Sequence, residues 1–410
     1  MIIDLGPLRR HRNFRLLFVG QLVSFLGSMV SYVAVPVQVQ ALTHSQATVG
    51  LLSFVQLVPL FIFGLWGGSV ADAFDRRRLM IASEVVMLLG AVGLALNAAL
   101  PRPSVLSVFA ISFVMQAASA FHRPAMEALG QKLVTVQELP AASALGSLRG
   151  SVGAVAGPSL GGVLVSVGGA VTGYAFDAAT FAVAVLCLWL MRDLPPLEAE
   201  SEAGWGSIVA GLRYARTRPE LIGTYVVDIV AMTFAFPIAL YPSIGEGLGG
   251  AKEAGYLFSA MPAGALLISM FSGRAKNLRR QGAAVVFAAA SWGAFIVGFG
   301  LAPALGWALG FLVLAGAADA VSGIYRGTIW NQTIPNAMRG RLAGVEMISY
   351  LSGPLLGNAR AGWVAETTSN AISVVSGGLI CVVAVVACGF VLPAFFRYER
   401  PEVKASELSV

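Results

Sequence analysis

Gly68-Ser69-Val70-Ala71-Asp72-Ala73-Phe74-Asp75-Arg76-Arg77-Arg78 is the stretch on which the reading of this chain turns. Before it, residues 49–71 carry no charged side chain; after it, 79–100 carry only Glu84. Each run is about as long as a helix must be to cross a hydrocarbon core of about 30 Å. Between them two acids and three arginines are crowded into a turn too short for a soluble domain. Arginines so placed sit at anionic headgroups. The stretch therefore reads as the end of one membrane span, a tight charged turn and the start of the next.

The rest of the chain repeats that arrangement. Of 410 residues 57% are hydrophobic and 12% charged, against about 25% charged in soluble domains. Such a chain cannot cover itself with a charged exterior, which excludes a soluble enzyme, a nucleic-acid-binding domain and a disordered scaffold. Twelve apolar runs are long enough to span. The first six cover 14–38, 49–71, 79–100, 105–129, 142–166 and 173–191; the second six cover 221–242, 254–273, 283–301, 305–330, 342–364 and 371–396. The expected fold is all-α and polytopic. It has a six-helix half at 1–191, a linker at 192–220, a second half at 221–396 and a tail at 397–410.

The net charge of +6 is gathered in the loops. Arg9–Arg15, Arg76–Arg78, Lys132, Arg192, Arg213–Arg218, Arg274–Arg280, Arg339, Arg341 and Arg397 fall on one side, and only Arg102 and Lys252 on the other. Basic loops stay in the cytoplasm, so both termini are expected there, in a bacterial inner membrane, with a lipid bilayer and a small molecule as partners and no nucleic acid. A monomer is expected. The linker opens with Pro195, Pro196, Glu198, Glu200 and Glu202. Trp205, Ile208, Leu212 and Ala215 then recur at helical spacing, as in a helix lying on the inner leaflet. Cys187, Cys381 and Cys388 lie inside apolar runs and read as buried thiols, without metal-ligand spacing. No GxxxxGK[ST] is present, and the three histidines make no triad or metal set with the cysteines. No cofactor is expected beyond a proton as coupling ion, and the chain does not read as an enzyme.

Ionisable groups inside spans are costly and mark function by default. Asp228 lies about nine residues into the seventh run. Its ionised form is disfavoured there, a property suited to a group that takes a proton on one side and releases it on the other. Asp319 is similarly deep, and Arg326 follows seven residues later on the same face. Asp228, Asp319 and Glu346 are the candidate proton-coupling residues. Arg149 is read as a contact for an anionic substrate, or as holding a carboxylate across the halves. Tyr32, Gln38, Gln116, Met232, Phe236 and Arg326 are candidate substrate contacts, polar or pliable positions suited to bulky cargo. Gln21, Ser24, Ser28 and Tyr32 form one polar stripe on the first helix, facing protein or cavity. Glu84, Arg123 and Glu127 are taken to snorkel near inner helix ends. Asp177 and Arg360 lie toward the outer side, with no partner assigned.

The halves echo each other. Gly68 and Gly273 each precede an arginine cluster, and Gly157-Pro158 is matched by Gly353-Pro354 about 196 positions later. Repeats of this kind build transporters whose halves are related by an axis along the membrane normal. The Gly68–Arg78 stretch resembles the loop signature of the major facilitator superfamily: a glycine (Gly68), an acid four later (Asp72), then a basic cluster (Arg76). Ala73 and Asp75 depart from it. Gly153-x-x-x-Gly157-Pro158-x-x-Gly161-Gly162 resembles the superfamily's antiporter motif, which marks exporters. Gln332–Arg341, with Arg339 and Arg341, resembles the corresponding loop of the drug:proton antiporter-3 branch. Val35-Pro36-Val37-Gln38, Thr43-His44-Ser45 and Leu240-Tyr241-Pro242 extend that likeness over nearly the whole chain. The resemblance implies a proton-coupled exporter of a small amphipathic molecule, siderophore or drug, working by alternating access. Its loop glycines, acids and arginines would govern conformation. A nutrient symporter, or a receptor that kept the fold, are the alternatives the residues leave open.

Overall fold

The computed structural model describes residues 4–192, 213–271, 279–335 and 339–399, and within these all side chains except 60–61, 64–73, 271, 339–341, 343–349 and 351. Most of the expected linker helix, and the end of the tail, lie outside the described residues. So do the side chains of Gly68, Asp72, Arg339, Arg341 and Glu346.

The described residues are almost wholly helical. The first half holds α1 (Gly6–Arg10), α2 (Arg12–Thr43), α3 (Gln46–Ala73), α4 (Arg76–Ala99), α5 (Val105–Lys132) and α6 (Leu139–Trp189). The second holds α7 (Pro219–Ala235), α8 (Tyr241–Leu248), α9 (Ala251–Phe271), α10 (Gln281–Gly300), α11 (Leu305–Thr333), α12 (Arg339–Thr367), α13 (Asn370–Val391) and α14 (Pro393–Phe396). Short 3-10 turns stand at Val136–Glu138 and Ile238–Leu240. Among the described residues, eight helical stretches are both long and apolar enough to cross a membrane.

The longest of these crosses twice. Helical dihedrals in α6 fail only at Gly168 and Gly169, the latter at φ +69°, a left-handed conformation that glycine adopts without penalty. On either side, α6 packs along α2 in opposite directions. Gly153, Gly157 and Gly161 abut Phe25, Met29 and Val30 in ascending order, whereas Gly173 abuts Ala34, and Gly20 abuts Cys187. The chain therefore reverses at the two glycines, and Pro158 sits within continuous helical dihedrals.

The seventh run, expected as one helix, is broken. Phe236 is extended (φ −109°, ψ 93°) before Pro237. A residue preceding proline is driven from the helical region, and proline itself offers no N–H. The helix resumes as α8 after the 3-10 turn.

By contacts the chain divides into two compact units. One is Met1–Ala203 with Pro237–Ala263 and Ala361–Asn370; the other is Gly204–Phe236, Gly264–Arg360 and Ala371–Val410. In the first, segments from α9 and α12 meet first-half helices closely. A Cβ on Gly255 would lie 2.6 Å from Cα of Gly162, and one on Gly362 2.3 Å from the carbonyl oxygen of Gln46. Ser159 donates to Ser259 at 2.8 Å, and Tyr32 meets Phe258 edge-on. In the second, Gly353 and Gly357 of α12 lie against Met232 of α7, as Gly157 lies against Met29. The repeated glycine-proline segment thus packs on the first helix of each half.

Candidate coupling residues in each unit

In the second unit Arg326 of α11 is flanked by two carboxylates. Its Nη1 contacts Asp228 Oδ1 of α7, and its Nη2 lies 3.7 Å from Asp319 Oδ1. Asp228 is buried and Asp319 keeps 38% of its side chain exposed. Arg326 Nε is buried with no acceptor among the described residues. Asp228 lies nine residues from the start of α7, and Asp319 midway along α11, about 14 and 21 Å into their helices at 1.5 Å per residue. A guanidinium keeps its proton at any accessible pH, so two carboxylates and one arginine leave a single negative charge. One proton would neutralise the cluster.

The other residues expected around this cluster are packed rather than open. Met232 is buried under Gly353 and Gly357. Phe236 is half-buried and stacks on Trp292, 6.4 Å between centroids. Arg360 finds the partners the sequence did not supply: it donates to the carbonyls of Phe234 at 2.6 Å and Ser373 at 2.9 Å, and to Ser376. It thereby caps the broken end of α7, where a cation is favoured.

In the first unit Glu84 is fully buried, not snorkelling. The helix carrying it begins at Arg76, which puts Glu84 about 12 Å inside its end. Its carboxylate accepts from Gln21 Nε2 at 2.9 Å and from Ser24 Oγ at 3.2 and 3.3 Å. His122 Nε2 of α5 stands 3.0 Å from Oε1, off the line of a straight hydrogen bond. The polar stripe of the first helix is therefore spent largely on this acid. Ser28 bonds back to the carbonyl of Ser24, while Tyr32 is 40% exposed. Asp177, also buried, accepts from Ser31 Oγ, and Thr180 bonds its carbonyl at 2.7 Å. Gln38 is buried and accepts from Tyr174 at 2.7 Å, a packing bond between α2 and α6. Sequence spacing missed the Glu84–His122 pair. Its signal was the stripe itself, donors that require an acceptor at their own depth.

Arg149 is half-buried on α6, with Met126 Sδ at 3.2 Å and no carboxylate in salt-bridge range among the described residues. Arg123 and Glu127 pair at the surface at 3.7 Å. Gln116 is half-buried on α5. Arg76 is buried at the head of α4, which Asp75 caps by accepting from Arg78 N at 2.8 Å. Outside the spans, Glu138 accepts from Thr135 and contacts His11 Nε2 at 2.6 Å and Arg10 at 3.2 Å. The His11 and Thr135 hydrogen bonds hold its carboxyl down at about 2. The cysteines are free thiols.

Comparison with known proteins fits this architecture. The family described as transmembrane secretion effector matches residues 3–407. The enterobactin exporter EntS of Shigella boydii serotype 18 is 31% identical over 414 residues, covering 99% of this chain and 98% of that one. EntS of Escherichia coli K12 is 30% identical over the same length. Among solved structures, a bacterial homologue of the iron transporter ferroportin, in an inward-facing state, superposes with a TM-score of 0.72 at 12% identity, over 94% of this chain and 99% of that one. A bacterial homologue of the lysosomal transporter Spinster gives 0.69 at 16% identity, over 96% and 97%.

Proposed function

The chain belongs to the transmembrane secretion effector family of the major facilitator superfamily, and on that footing we propose that it exports a siderophore of the enterobactin kind, or drugs of similar size, in exchange for protons. It is a multi-pass membrane transporter of a small molecule, not an enzyme. The observation that carries the coupled reading is the Asp228–Arg326–Asp319 cluster, far from the helix ends of α7 and α11 in a chain similar to enterobactin exporters throughout its length.

The cluster holds one carboxylate more than its fixed cation balances. A proton taken up at Asp319, the more exposed of the two, leaves a neutral Asp228–Arg326 pair. Its release restores a net negative charge beside the buried Asp228–Arg326 pair, a cost that solvent at the part-exposed Asp319 reduces but does not remove. That difference is ample to bias a two-state equilibrium between inward and outward access. Arg149, a half-buried cation with no carboxylate in salt-bridge range among the described residues, suits an acidic, aromatic cargo such as a catecholate, on which a guanidinium can both stack and donate. The glycine face of α6 against α2 supports the exporter reading of the helix-5 motif. The loop arginines support cytoplasmic termini in a bacterial inner membrane, and we read the transporter as a monomer.

Proteoliposomes with an imposed pH gradient test the proposal. Enterobactin added to the purified protein is expected to trigger proton movement reported by a lumenal pH dye. Flux with cationic drugs alone would reassign the cargo, and no flux with either would overturn proton-coupled export.

A further inference from the structure

The end of the chain folds back onto the second unit. Pro393 drives Leu392 out of the helical region, which ends α13, and then opens α14. The turn that follows is held by its own backbone: Phe396 N donates to the carbonyl of Leu392, Arg397 N to that of Pro393 and Tyr398 N to that of Phe395. Phe395 is fully buried. Its ring lies against Gly223 of α7 and its carbonyl against Gly282 of α10, where a side chain at either glycine would take up the same space. Gly282 N donates to the carbonyl of Tyr398 at 3.3 Å, and Arg280 and Glu399 form an antiparallel bridge. The ion pairs of Glu399 with Arg279 and Arg280, at 2.9 and 3.3 Å, are largely exposed and add little. The Tyr398 hydroxyl donates to Gln332 Oε1 at 3.3 Å and lies 3.4 Å from Thr333 Oγ1. One short segment thus closes over the start of α7, the start of α10 and the end of α11.

Those helix ends lead directly to the coupling cluster. Trp330 Nε1 donates to Thr224 Oγ1 at 2.8 Å, and the Trp330 ring packs on Tyr225, 5.2 Å between centroids. Thr224 and Asp228 are four residues apart on α7, and Arg326 and Trp330 are four apart on α11. Residues at that spacing share one helix face. Thr224–Trp330 and Asp228–Arg326 are therefore successive rungs between two helices that run in opposite directions. The strap grips the next positions out: Gly223 on α7, and Gln332 and Thr333 on α11. Tyr214 adds a bond from ahead of α7 to the carbonyl of Thr333 at 3.1 Å. Gly223 is five residues from Asp228, about 7.5 Å along the helix. Over so short a span of close packing, a displacement is transmitted rather than absorbed.

We propose that Phe395 and Tyr398 are positioning residues for the coupling cluster. The strap Pro393–Glu399 fixes the spacing of α7 and α11, and with it the fit of Asp228 on Arg326. Both residues act through the Thr224–Trp330 rung. The use of this arrangement in transport rests on the proton-coupled export proposed above; the alignment of the two helices does not.

Tyr398→Phe removes one oxygen and keeps the ring, so the chain is expected to fold; Phe395→Leu is the stronger variant. Each is combined with Asp228→Asn in a double-mutant cycle read by melting temperature in detergent. The loss seen in Tyr398→Phe is expected to shrink to less than about half in the Asp228→Asn background, as for residues of one network. In proteoliposomes, each strap variant is expected to lower the ratio of gradient-driven enterobactin accumulation to gradient-free exchange. The expected fall is about 2- to 10-fold, the range of one net hydrogen bond. Additive melting losses, or accumulation and exchange that fall together, overturn the inference. If the losses are non-additive while the wild-type protein accumulates no enterobactin, the strap keeps its positioning role and the export reading falls.

Discussion

The two halves bury charge in different ways. The second half sets two aspartates against an arginine; the first sets Glu84 against a histidine, with an amide and a hydroxyl completing the shell. Arginine cannot give up its proton, so the second cluster changes charge only at its carboxylates. Glu84 instead accepts from an amide and a hydroxyl, so the hydrogen bonds it receives come from uncharged groups. One repeat sets its buried acids against a guanidinium, the other holds its acid largely by uncharged donors. A duplicated fold has thus arrived at two different ways of holding a buried acid.

The comparison breaks most readily at its cations. Arg326→Ala strands two carboxylates and is expected to cost about 3–5 kcal/mol, the range for removing one partner of a buried pair. His122→Gln leaves a donor opposite Glu84 and is expected to cost about 1 kcal/mol. Melting temperatures in detergent measure both; equal losses would mean that the two centres are held alike. Asp228→Asn neutralises the second cluster permanently. Uphill accumulation driven by a pH gradient is expected to vanish while substrate exchange between compartments persists, and retained accumulation would remove Asp228 and its cluster from coupling. The glycine faces give a smaller contrast. A Cβ on Gly357 would sit 2.2 Å from the carbonyl oxygen of Met232, and one on Gly157 would sit 2.3 Å from Cβ of Met29 and 3.2 Å from the carbonyl oxygen of Leu26, so both faces are closed by atoms that the backbone holds in place. Gly357→Ala and Gly157→Ala are each expected to cost about 1–3 kcal/mol, read by the same melts. The least effect belongs to Glu138. Its carboxyl is depressed to about 2, so the contact it makes with α1 is complete above the ordinary carboxyl range and is lost only as pH falls toward 2. Protection of the amides of residues 6–10, corrected for the intrinsic pH dependence of exchange, is expected to be the same at pH 7 and pH 5.5 in the wild type, and lower at both in Glu138→Gln.

Much of this was legible in the sequence, and the exceptions share a cause. Apolar runs and arginine loops gave the spans because the bilayer imposes length and charge rules that act on each segment alone. Asp228, Asp319 and Arg326 stood out because depth is also read from one segment at a time. Pairing is not. Glu84 was assigned to a helix end because its span was begun at 79, and His122 was set aside as isolated. Only packing of α2, α4 and α5 brings donors and acid together. Gln38 failed in the opposite direction, a polar residue at cavity register that is consumed by Tyr174. The break before α8 was hidden because Phe236-Pro237 lies inside an unbroken apolar run, where hydropathy does not register a proline.

The reversal at Gly168 and Gly169 bears on how the protein is made. Between the arms of α6, residues 166–172 contain no ionisable side chain. In the orientation proposed above, this turn is the part of the hairpin that crosses the bilayer during synthesis. Carrying it across strips no charge of its water, so the work is that of a few backbone amides and hydroxyls. The fifth and sixth spans can therefore enter the membrane together as one helical pair, with Lys132 and Arg192 at the two ends opposite the turn.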